Sequence, residues 1–575
     1  MRRIVGFFWL SAFAILPVTS VAQPTPTALA NRYVAVQLDL DPSFAAFSGL
    51  PVQNDRLPDI SPGAIEAGLK AKQELLRELT QWGGQPASGA ERRIAAVLKE
   101  ALANDIAMRI CRPEYWSLNH IFGWQVVLPQ LAAVQPIDSR QERAEALARW
   151  SGLPEYLDQD RENLLMGLAE GYVAPKSVVH RVIAQLDALL ALDAASSPFA
   201  APSRRAADPK FQAAFAELVR TTINPAIRRY RDFLAESYLP RARDALGVSS
   251  LPNGRACYTA SLRSFTTLRV TSDAVYAAGE RTVARNRADI EEIGYRLFGT
   301  NDIPVIAQRM SDADTNRVAS PDELLKLSDR LLARNETATR KVIAGYPKQA
   351  VIIAPLPPGV TTAPPPHYEP EADPAKPGRY VFPLAEWNSI TRSKAEMLVV
   401  HEAVPGHHVQ LSLAFQRRDG HPIDKIAINA AFTEGWARYG ETLAEEIGLY
   451  ETDYAKIERR IWPGHGQMLD VGVHVGGWSR TQALDFLKNT GAFDQAAAEA
   501  MLDRVAVLPG QLTAYDTGAA EFLALRNEAR ARLGDHFDIG RFHEAVLAQG
   551  TVPLIQLRAQ IEDWISAEEA NPRGR

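Results

Sequence analysis

The chain has 575 residues, of which 46% are hydrophobic and 23% are charged. This composition is typical of a soluble globular protein with a sizeable core. The formal net charge of -5 gives no reason to expect nucleic acid or an anionic membrane surface as a partner.

The first 22 residues have the pattern of a secretory signal peptide. Arg2 and Arg3 form a positive n-region, residues 4–16 form a short apolar h-region, and residues 20–22 (SVA) form a small-residue cleavage site before Gln23. We therefore predict a secreted or periplasmic protein, with an uncleaved membrane anchor as the alternative. No cysteine lies directly after the h-region, so lipoprotein anchoring is not indicated, and no later stretch is long and apolar enough to cross a membrane. The mature chain is thus expected to have no stable membrane anchor.

The chain after the signal is read as one helical domain at 23–575, with an N-terminal helical half at about 63–345. Apolar residues recur every three or four positions, as in Val179, Ile183 and Leu186, which predicts helices. The region 23–62 contains several prolines and is predicted to be irregular, and 195–209 is predicted to be a loop. The predicted helical regions of this half are 63–194, 211–246, 272–298 and 321–344.

The two cysteines are Cys111 and Cys257. In an oxidising compartment they are candidates for a disulfide, but the sequence does not determine whether they meet. Two cysteines so far apart make neither a zinc site nor a disulfide scaffold.

A small β element is predicted at about 349–384. Residues 351–357 (VIIAPLP) and 378–383 (GRYVFP) predict strands, and the segment between them is rich in proline. We expect a small sheet or hairpin, which either holds an extended substrate by main-chain hydrogen bonds or is purely structural. Helical pattern resumes over about 389–570, the half that carries the motif below.

The residues with the clearest chemistry lie between Ser393 and Glu441. The spacing of Ser393 and Glu396 is that of a capping box, so a helix is expected to begin there. The helix is apolar nearly all round until it reaches His401 and Glu402, and buried carboxylates are rare unless they are paired or bound to a metal. Histidines together with carboxylates are what a zinc hydrolase needs.

The usual zinc motif, His-Glu-x-x-His, places both histidines one helical turn apart. Four residues after His401, this chain has Pro405, which cannot bind a metal and interrupts a helix. If Pro405 and Gly406 bulge out as an insertion, His407 takes the position of the second ligand, which we favour. A regular helix instead places His408 two turns from His401, roughly 10 Å along the axis and too far for a shared ion. Whichever of His407 and His408 does not bind the metal would support a ligand through a hydrogen bond or would contact the substrate.

Three carboxylates complete the hypothesis. Glu402 adjoins a ligand and is the natural general base. The third ligand should be a carboxylate from a later helix, and Glu434 is the candidate. Glu441 follows two turns later on the same face and would orient a ligating histidine. The alternative is that the whole cluster is structural.

The motif and several other segments resemble the bacterial family catalogued as domain of unknown function 885. The segments are LPNGRACY (251–258), HEAVPGHHVQ (401–410), FTEGWARYGE (432–441), DVGVHVGGWSR (470–480), LPGQLTAYDTG (508–518), LRNEARARLGDHFD (525–538) and FHEAVLAQGTVPL (542–554). That family is in turn similar to helical zinc peptidases such as carboxypeptidase Taq, thimet oligopeptidase and angiotensin-converting enzyme.

The resemblance implies one zinc ion bound by His401, His407 and Glu434, with Glu402 as the base. It also implies a mainly α fold, in which a large zincin-like helical body is split by a deep channel and the small sheet lies beside the zinc. The Pro-Gly insertion departs from the peptidase motif and leaves the choice between His407 and His408 open.

Five further residues are candidates for contact with a substrate. A donor to the developing oxyanion is useful to a zinc hydrolase, and His474 and Tyr515 can serve. The resemblance places both near the metal and Tyr258 along the channel, whereas without it each is an ordinary core residue. Arg480 and Arg526 would clamp a substrate carboxylate, or would form helix-surface salt bridges.

These observations predict a secreted or periplasmic zinc peptidase. A channel between helices favours short peptides as substrates, because a folded chain cannot enter it. The alternatives are a zinc hydrolase of a non-peptide amide or ester, and a non-catalytic helical binding protein. The bond that is cleaved, the metal's identity and the oligomeric state stay open.

Overall fold

The computed structural model describes residues 23–50, 53–83, 88–356, 366–371, 373–417 and 420–570. The fold is mainly helical, as predicted, with 72% helix and 3% strand. The predicted signal peptide at 1–22 lies outside the described residues. Within the described ranges, no helix has the length and apolar character needed to span a membrane.

The N-terminal half is helical from its first described residues. Its α-helices are α1 (Pro26–Leu40), α2 (Pro42–Ser48), α3 (Pro62–Trp82), α4 (Gly89–Met108), α5 (Trp124–Val134), α6 (Arg140–Ser151), α7 (Leu153–Glu170), α8 (Lys176–Ala191), α9 (Ala201–Arg205), α10 (Pro209–Leu218), α11 (Asn224–Phe233), α12 (Gly254–Thr266), α13 (Ser272–Phe298), α14 (Ile303–Asp312) and α15 (Pro321–Thr339).

The prediction of an irregular segment at 23–62 is wrong, because α1 and α2 lie there. The Thr25 side chain caps α1, and Pro26 occupies a first-turn position where its missing N–H costs nothing. Leu29 and Tyr33 then bury one face of the helix. The predicted loop at 195–209 likewise contains the short α9.

The small sheet has three strands, β1 (Val351–Leu356), β2 (His367–Glu369) and β3 (Gly378–Pro383), in the order β1-β3-β2. β1 and β3 are parallel, with Val351 opposite Gly378, and β2 is antiparallel to β3. The small sheet is therefore confirmed, and the hairpin alternative is wrong, since parallel strands cannot be joined by a tight turn. The connecting segment contributes β2, which was not predicted because the segment is rich in proline.

Helices resume after the sheet and continue to the end of the described chain. They are α16 (Arg392–Leu398), α17 (His407–Phe415), α18 (Ile423–Ile426), α19 (Ala430–Glu446), α20 (Asp453–Ile461), α21 (His465–His474), α22 (Arg480–Asn489), α23 (Gln495–Val507), α24 (Thr513–Leu533), α25 (Ile539–Leu547) and α26 (Leu554–Ala570). Helices from before and after the sheet pack into the same two large apolar cores.

The crossing of α19 and α24 positions the candidate site. A Cβ on Gly435 would lie 2.5 Å from the Cα of Gly518, and a Cβ on Gly518 would lie 1.9 Å from the carbonyl oxygen of Ala431. The two backbones are therefore in direct contact, and only glycine fits at the crossing. Glu434 immediately precedes Gly435, and Tyr515 lies one turn before Gly518, so both flank this contact.

Cys111 and Cys257 form a disulfide, with their Cα atoms 4.8 Å apart. The bond joins the 3-10 turn that follows α4 to α12, across a sequence separation of 146 residues. The pairing that the sequence left open is therefore present, and it closes a very long loop.

Replacing both cysteines by serine is expected to lower the free energy of unfolding by about 2–5 kcal/mol. The physical reason is that a cross-link over a long loop removes much of the conformational entropy of the unfolded chain. Urea unfolding of the native and double-serine proteins measures the difference. Equal transition midpoints would contradict the prediction.

Candidate metal centre

The helix that leads into the motif begins two residues earlier than a cap at Ser393 would place it. Thr391 is the N-cap, and its hydroxyl accepts the N–H of Lys394. The predicted capping box at Ser393 and Glu396 is wrong, because tertiary partners take both side chains. The Ser393 hydroxyl contacts Asn316, and the Glu396 carboxylate accepts the backbone N–H of Glu451.

The helix widens and then breaks where the histidines lie. Residues Val399–Ala403 form a π-helical turn that carries His401 and Glu402, and α17 starts at His407. The π-turn is the kind of local irregularity that often accompanies functional sites.

The Pro405-Gly406 break is anchored by two other helices. Trp436 on α19 donates its indole N–H to the carbonyl of Pro405, and Asn335 on α15 donates to the carbonyl of Val404. A Cβ on Gly406 would lie 1.8 Å from the carbonyl oxygen of His401, so the chain folds back here too closely for any other residue. The break thus interrupts the helix between His401 and His407, as an insertion would.

His401 and His407 face the same carboxylate. Their Nε2 atoms lie 3.7 and 3.6 Å from Oε2 of Glu434, and Oε2 of Glu402 lies 4.0 Å from Nε2 of His407. Donor atoms of His401, Glu402 and His407 all lie within 4.8 Å of one another. Zinc bonds of 2.0–2.1 Å in a tetrahedral site place ligand atoms about 3.4 Å apart. The separations of 3.7 and 3.6 Å from Glu434 are close to this value, so His401, His407 and Glu434 are spaced as three ligands of one zinc ion would be.

The donor set also fits zinc chemically. Nδ1 of His401 donates to Oε1 of Glu441 at 2.8 Å, which fixes the tautomer and leaves Nε2 free toward Glu434. An outer carboxylate on a ligating imidazole is the usual arrangement at zinc sites. The hydrogen bond between His401 and Glu441 is therefore consistent with His401 as a zinc ligand.

The electrostatics of the cluster depend on opposing charges in a buried space. Burial disfavours the charged form of His401, but the nearby carboxylates of Glu434 and Glu441 outweigh it and raise its pKa to about 10. Burial also disfavours the charged form of Glu434, but the two histidines outweigh it and lower its pKa. For Glu402, burial is the dominant cause and raises the pKa.

Two residues that the sequence analysis missed hold Glu441 in place. Nη1 of Arg438 donates to both oxygens of Glu441, at 2.8 and 3.0 Å. Nε of Arg438 lies 3.7 Å from the carboxylate of Asp516 on α24. The i,i+3 spacing of Arg438 and Glu441 is a signal the sequence contains. The contact with Asp516 crosses between helices and leaves no local pattern.

His408 points away from this cluster, toward the small sheet. Its Nδ1 accepts from the hydroxyls of Tyr368 and Ser412, at 2.9 and 3.1 Å, and its Nε2 donates to the carbonyl of Gln349. Burial lowers the pKa of His408 to about 4, so the ring is neutral. Of the two adjacent histidines, the fold brings His407 to Glu434 and leaves His408 with both nitrogens engaged.

Tyr515 lies beside Glu434, and its hydroxyl is held by two donors. Nη2 of Arg504 and Nε2 of Gln511 donate to the phenol oxygen, at 3.2 and 3.3 Å. Burial, followed by the nearby Glu434 charge, raises the pKa of Tyr515. The phenol therefore keeps its proton. Its oxygen is the acceptor in both hydrogen bonds, so the O–H group can still donate.

His474 does not fit the catalytic role predicted for it. Nδ1 accepts the backbone N–H of Val248, Nε2 donates to the carbonyl of Val505, and the ring is fully buried. Burial lowers the pKa of His474 to about 3. Since both ring nitrogens bind backbone, none is left for an oxyanion, and Tyr515 is the predicted candidate that remains.

Tyr258 is also a core residue rather than a channel residue. It is 1% exposed, its ring stacks on His474 with 5.3 Å between centroids, and its hydroxyl donates to Asp470 at 2.7 Å. A side chain so enclosed cannot line a path for substrate.

Arg480 and Arg526 form salt bridges, the alternative left open by the sequence. Arg480 lies 3.3 Å from the buried carboxylate of Asp503. Arg526 makes two hydrogen bonds of 2.7 Å to Glu446 and lies over the ring of Tyr439. Each guanidinium therefore already has a carboxylate partner in the fold.

Asp470 gives the fold a measurable pH dependence. Its Oδ1 accepts from Tyr258 and from the N–H of Gly510, whereas Oδ2 is buried without a partner. Burial raises the pKa of Asp470 from 3.8 to about 7. The folded state therefore holds a proton that the unfolded state releases above about pH 4. This contribution to stability is complete below that pH and is lost as the pH rises through 7.

Asp470→Asn is expected to remove that pH dependence, because the amide oxygen can accept both hydrogen bonds without ionising. The unfolding free energy of the native protein relative to the variant should fall as the pH rises from 4 to 8, by at most about 1.4 kcal/mol per pH unit. Thermal melts of both proteins at pH 5 and pH 8 test this. A difference that is the same at both pH values would contradict it.

The family model described as "Bacterial protein of unknown function (DUF885)" matches residues 42–561. No curated protein matches the chain. Among solved structures, the "putative lipoprotein" from Colwellia psychrerythraea is similar at 22% identity, with a TM-score of 0.84, over 95% of this chain and 100% of that one. A "putative lipoprotein of unknown function" from Shewanella oneidensis is similar at 18% identity, with a TM-score of 0.76, over 94% and 100% of the two chains.

At these identities the two structures support the fold alone. The family model spans most of the chain, including every residue of the candidate metal centre. The resemblance of the HEAVPGHHVQ and FTEGWARYGE segments to this family is thereby confirmed, and the chain belongs to the DUF885 family.

Proposed function

We propose that this protein is a secreted or periplasmic zinc-dependent peptidase that cleaves short peptides. The observation that carries the proposal is the convergence of His401, His407 and Glu434, with Glu402 alongside. His401, His407 and Glu434 are the proposed ligands of one ion, and Glu441 orients His401. A zinc ion bound there would polarise the carbonyl of the substrate and lower the pKa of a water.

The remaining steps belong to side chains of this chain. Glu402 accepts the proton of the attacking water and passes it to the departing amine. Burial raises the pKa of Glu402, which makes its carboxylate a stronger base. Tyr515 donates its free hydroxyl proton in a hydrogen bond to the carbonyl oxygen as negative charge develops there.

The proposed substrate is a short peptide that reaches the centre through a channel between helices of a zincin-like body. The Glu434 side chain is 23% exposed, more than any other proposed ligand, which supports access to the ion from its side. The small sheet adjoins the π-turn and would support an extended peptide.

Metal analysis and a peptide-library digest test the proposal together. The mature protein, purified without chelator, should hold about one zinc per chain. Incubation with a mixed library of short peptides should then give new masses, and chelator should abolish them. A zinc-loaded protein that cleaves no peptide but hydrolyses ester or non-peptide amide substrates would support the non-peptide hydrolase. A protein that binds no metal and cleaves nothing would support a binding protein.

A further inference from the structure

One arginine beside the candidate metal centre keeps an unpaired charge. Arg504, in the last turn of α23, donates from Nη2 to Oε1 of Gln511 at 2.9 Å and to the hydroxyl of Tyr515 at 3.2 Å. Both partners are neutral. Across the described residues, no carboxylate oxygen lies within 4.0 Å of this guanidinium.

The donors that remain on Arg504 are open to solvent. Nε and Nη1 make no hydrogen bond to any residue the structure describes, and neither is among the buried polar atoms without a partner. The neighbouring carboxylate of Asp503 is turned away and binds Arg181 and Ser177. Arg504 is therefore a fixed guanidinium with free N–H groups.

The position of Arg504 connects it to the proposed chemistry. Tyr515 lies one turn before Gly518, whose backbone touches Gly435, the residue after Glu434. The phenol that contacts Arg504 thus stands next to a proposed zinc ligand. A substrate group held by Arg504 would therefore lie on the Tyr515 side of the proposed centre.

We propose that Arg504 binds a carboxylate of the substrate, and this rests on the peptidase function proposed above. A planar guanidinium with free N–H groups matches a carboxylate better than any other common group of a peptide. Gln511 and Tyr515 orient the guanidinium without neutralising it. The carboxylate has two possible sources, the free C-terminus of a peptide and the side chain of an acidic residue.

The contrast with other arginines strengthens this assignment. Arg438, Arg480 and Arg526 each have a carboxylate within 3.3 Å. Of these four arginines, only Arg504 has no carboxylate partner among the described residues, so its charge can pair with that of a ligand.

Equilibrium dialysis with zinc-loaded Glu402→Gln protein tests the proposal, because this variant is designed to bind peptides without cleaving them. Three short-peptide libraries serve as probes: one without acidic residues and with free C-termini, the same library amidated, and an amidated library with one glutamate in each peptide. We expect the free-acid or the glutamate library to bind about 10- to 100-fold more tightly than the plain amidated one.

Adding Arg504→Gln should remove that preference, and Arg504→Lys should restore part of it, since lysine keeps the charge but not the fork. Arg296→Gln, which removes an exposed ion pair with Asp453, is the matched control and should leave the preference unchanged. Whichever carboxylate library binds more tightly identifies the source.

Equal retention of all three libraries, no retention of any, or a preference that survives Arg504→Gln would overturn the proposal. If Arg504→Gln fails to fold, a preference that is smaller in a folded Arg504→Lys protein than in the Glu402→Gln protein decides in its favour, and an unchanged preference decides against it. A carboxylate preference without cleavage by the native protein would contradict the peptidase function alone.

Discussion

Glu402→Gln should retain its zinc and lose roughly 10²- to 10⁴-fold of its peptide-cleaving activity. Glutamine is nearly the same size and keeps a hydrogen-bond acceptor, but it cannot accept the proton of the attacking water. Zinc content by elemental analysis and kcat/KM on a peptide identified from the library measure the two halves of this expectation.

Glu544→Gln is the matched control for that experiment. His543-Glu544 is the other His-Glu pair of the chain, but its histidine binds the hydroxyl of Tyr439 and the carbonyl of Val342 instead of facing a second histidine. Glu544→Gln should therefore leave cleavage unchanged. Full activity of Glu402→Gln would show that Glu402 is not the base, and loss of zinc from that variant would make Glu402 a ligand.

The second prediction with a large expected effect distinguishes the role of His407 from that of His408. His407→Ala should reduce zinc affinity by more than the roughly 10–100-fold that loss of an outer partner causes, because it removes a donor to the ion itself. His408→Ala should keep the zinc. Its cost should appear as a loss of about 1–3 kcal/mol in unfolding free energy, because the hydroxyl of Tyr368 and the carbonyl of Gln349 lose their partner in a buried space.

Competition with a chromophoric zinc chelator measures the affinities, and urea unfolding measures the stability. The two substitutions are adjacent in sequence and equal in size, so each controls for the other. Zinc loss in His408→Ala with retention in His407→Ala would reverse the ligand assignment.

The residues of the candidate centre could be identified from sequence because their relations are local. His401, Glu402 and His407 lie in one short segment, and Glu441 follows Glu434 by two turns on one helix. Helical periodicity relates Glu434 to Glu441. It does not choose between His407 and His408, because Pro405 and Gly406 interrupt the helix, and the full ligand set was what the family resemblance implied. The fold brings His401, His407 and Glu434 together. The helical class and the two longer strands were likewise visible as patterns of apolar and β-branched residues.

Only the tertiary structure decided which other polar residues remain available to a ligand. His474 binds Val248, which is 226 residues away, and Tyr258 binds Asp470, which is 212 residues away. Arg480, Arg526 and Arg504 look alike in the sequence, yet the first two meet carboxylates and the third meets none in the part of the chain that the structure describes. A side chain's freedom depends on partners that the fold brings from distant segments, and residues so far apart share no periodicity that would reveal their contact.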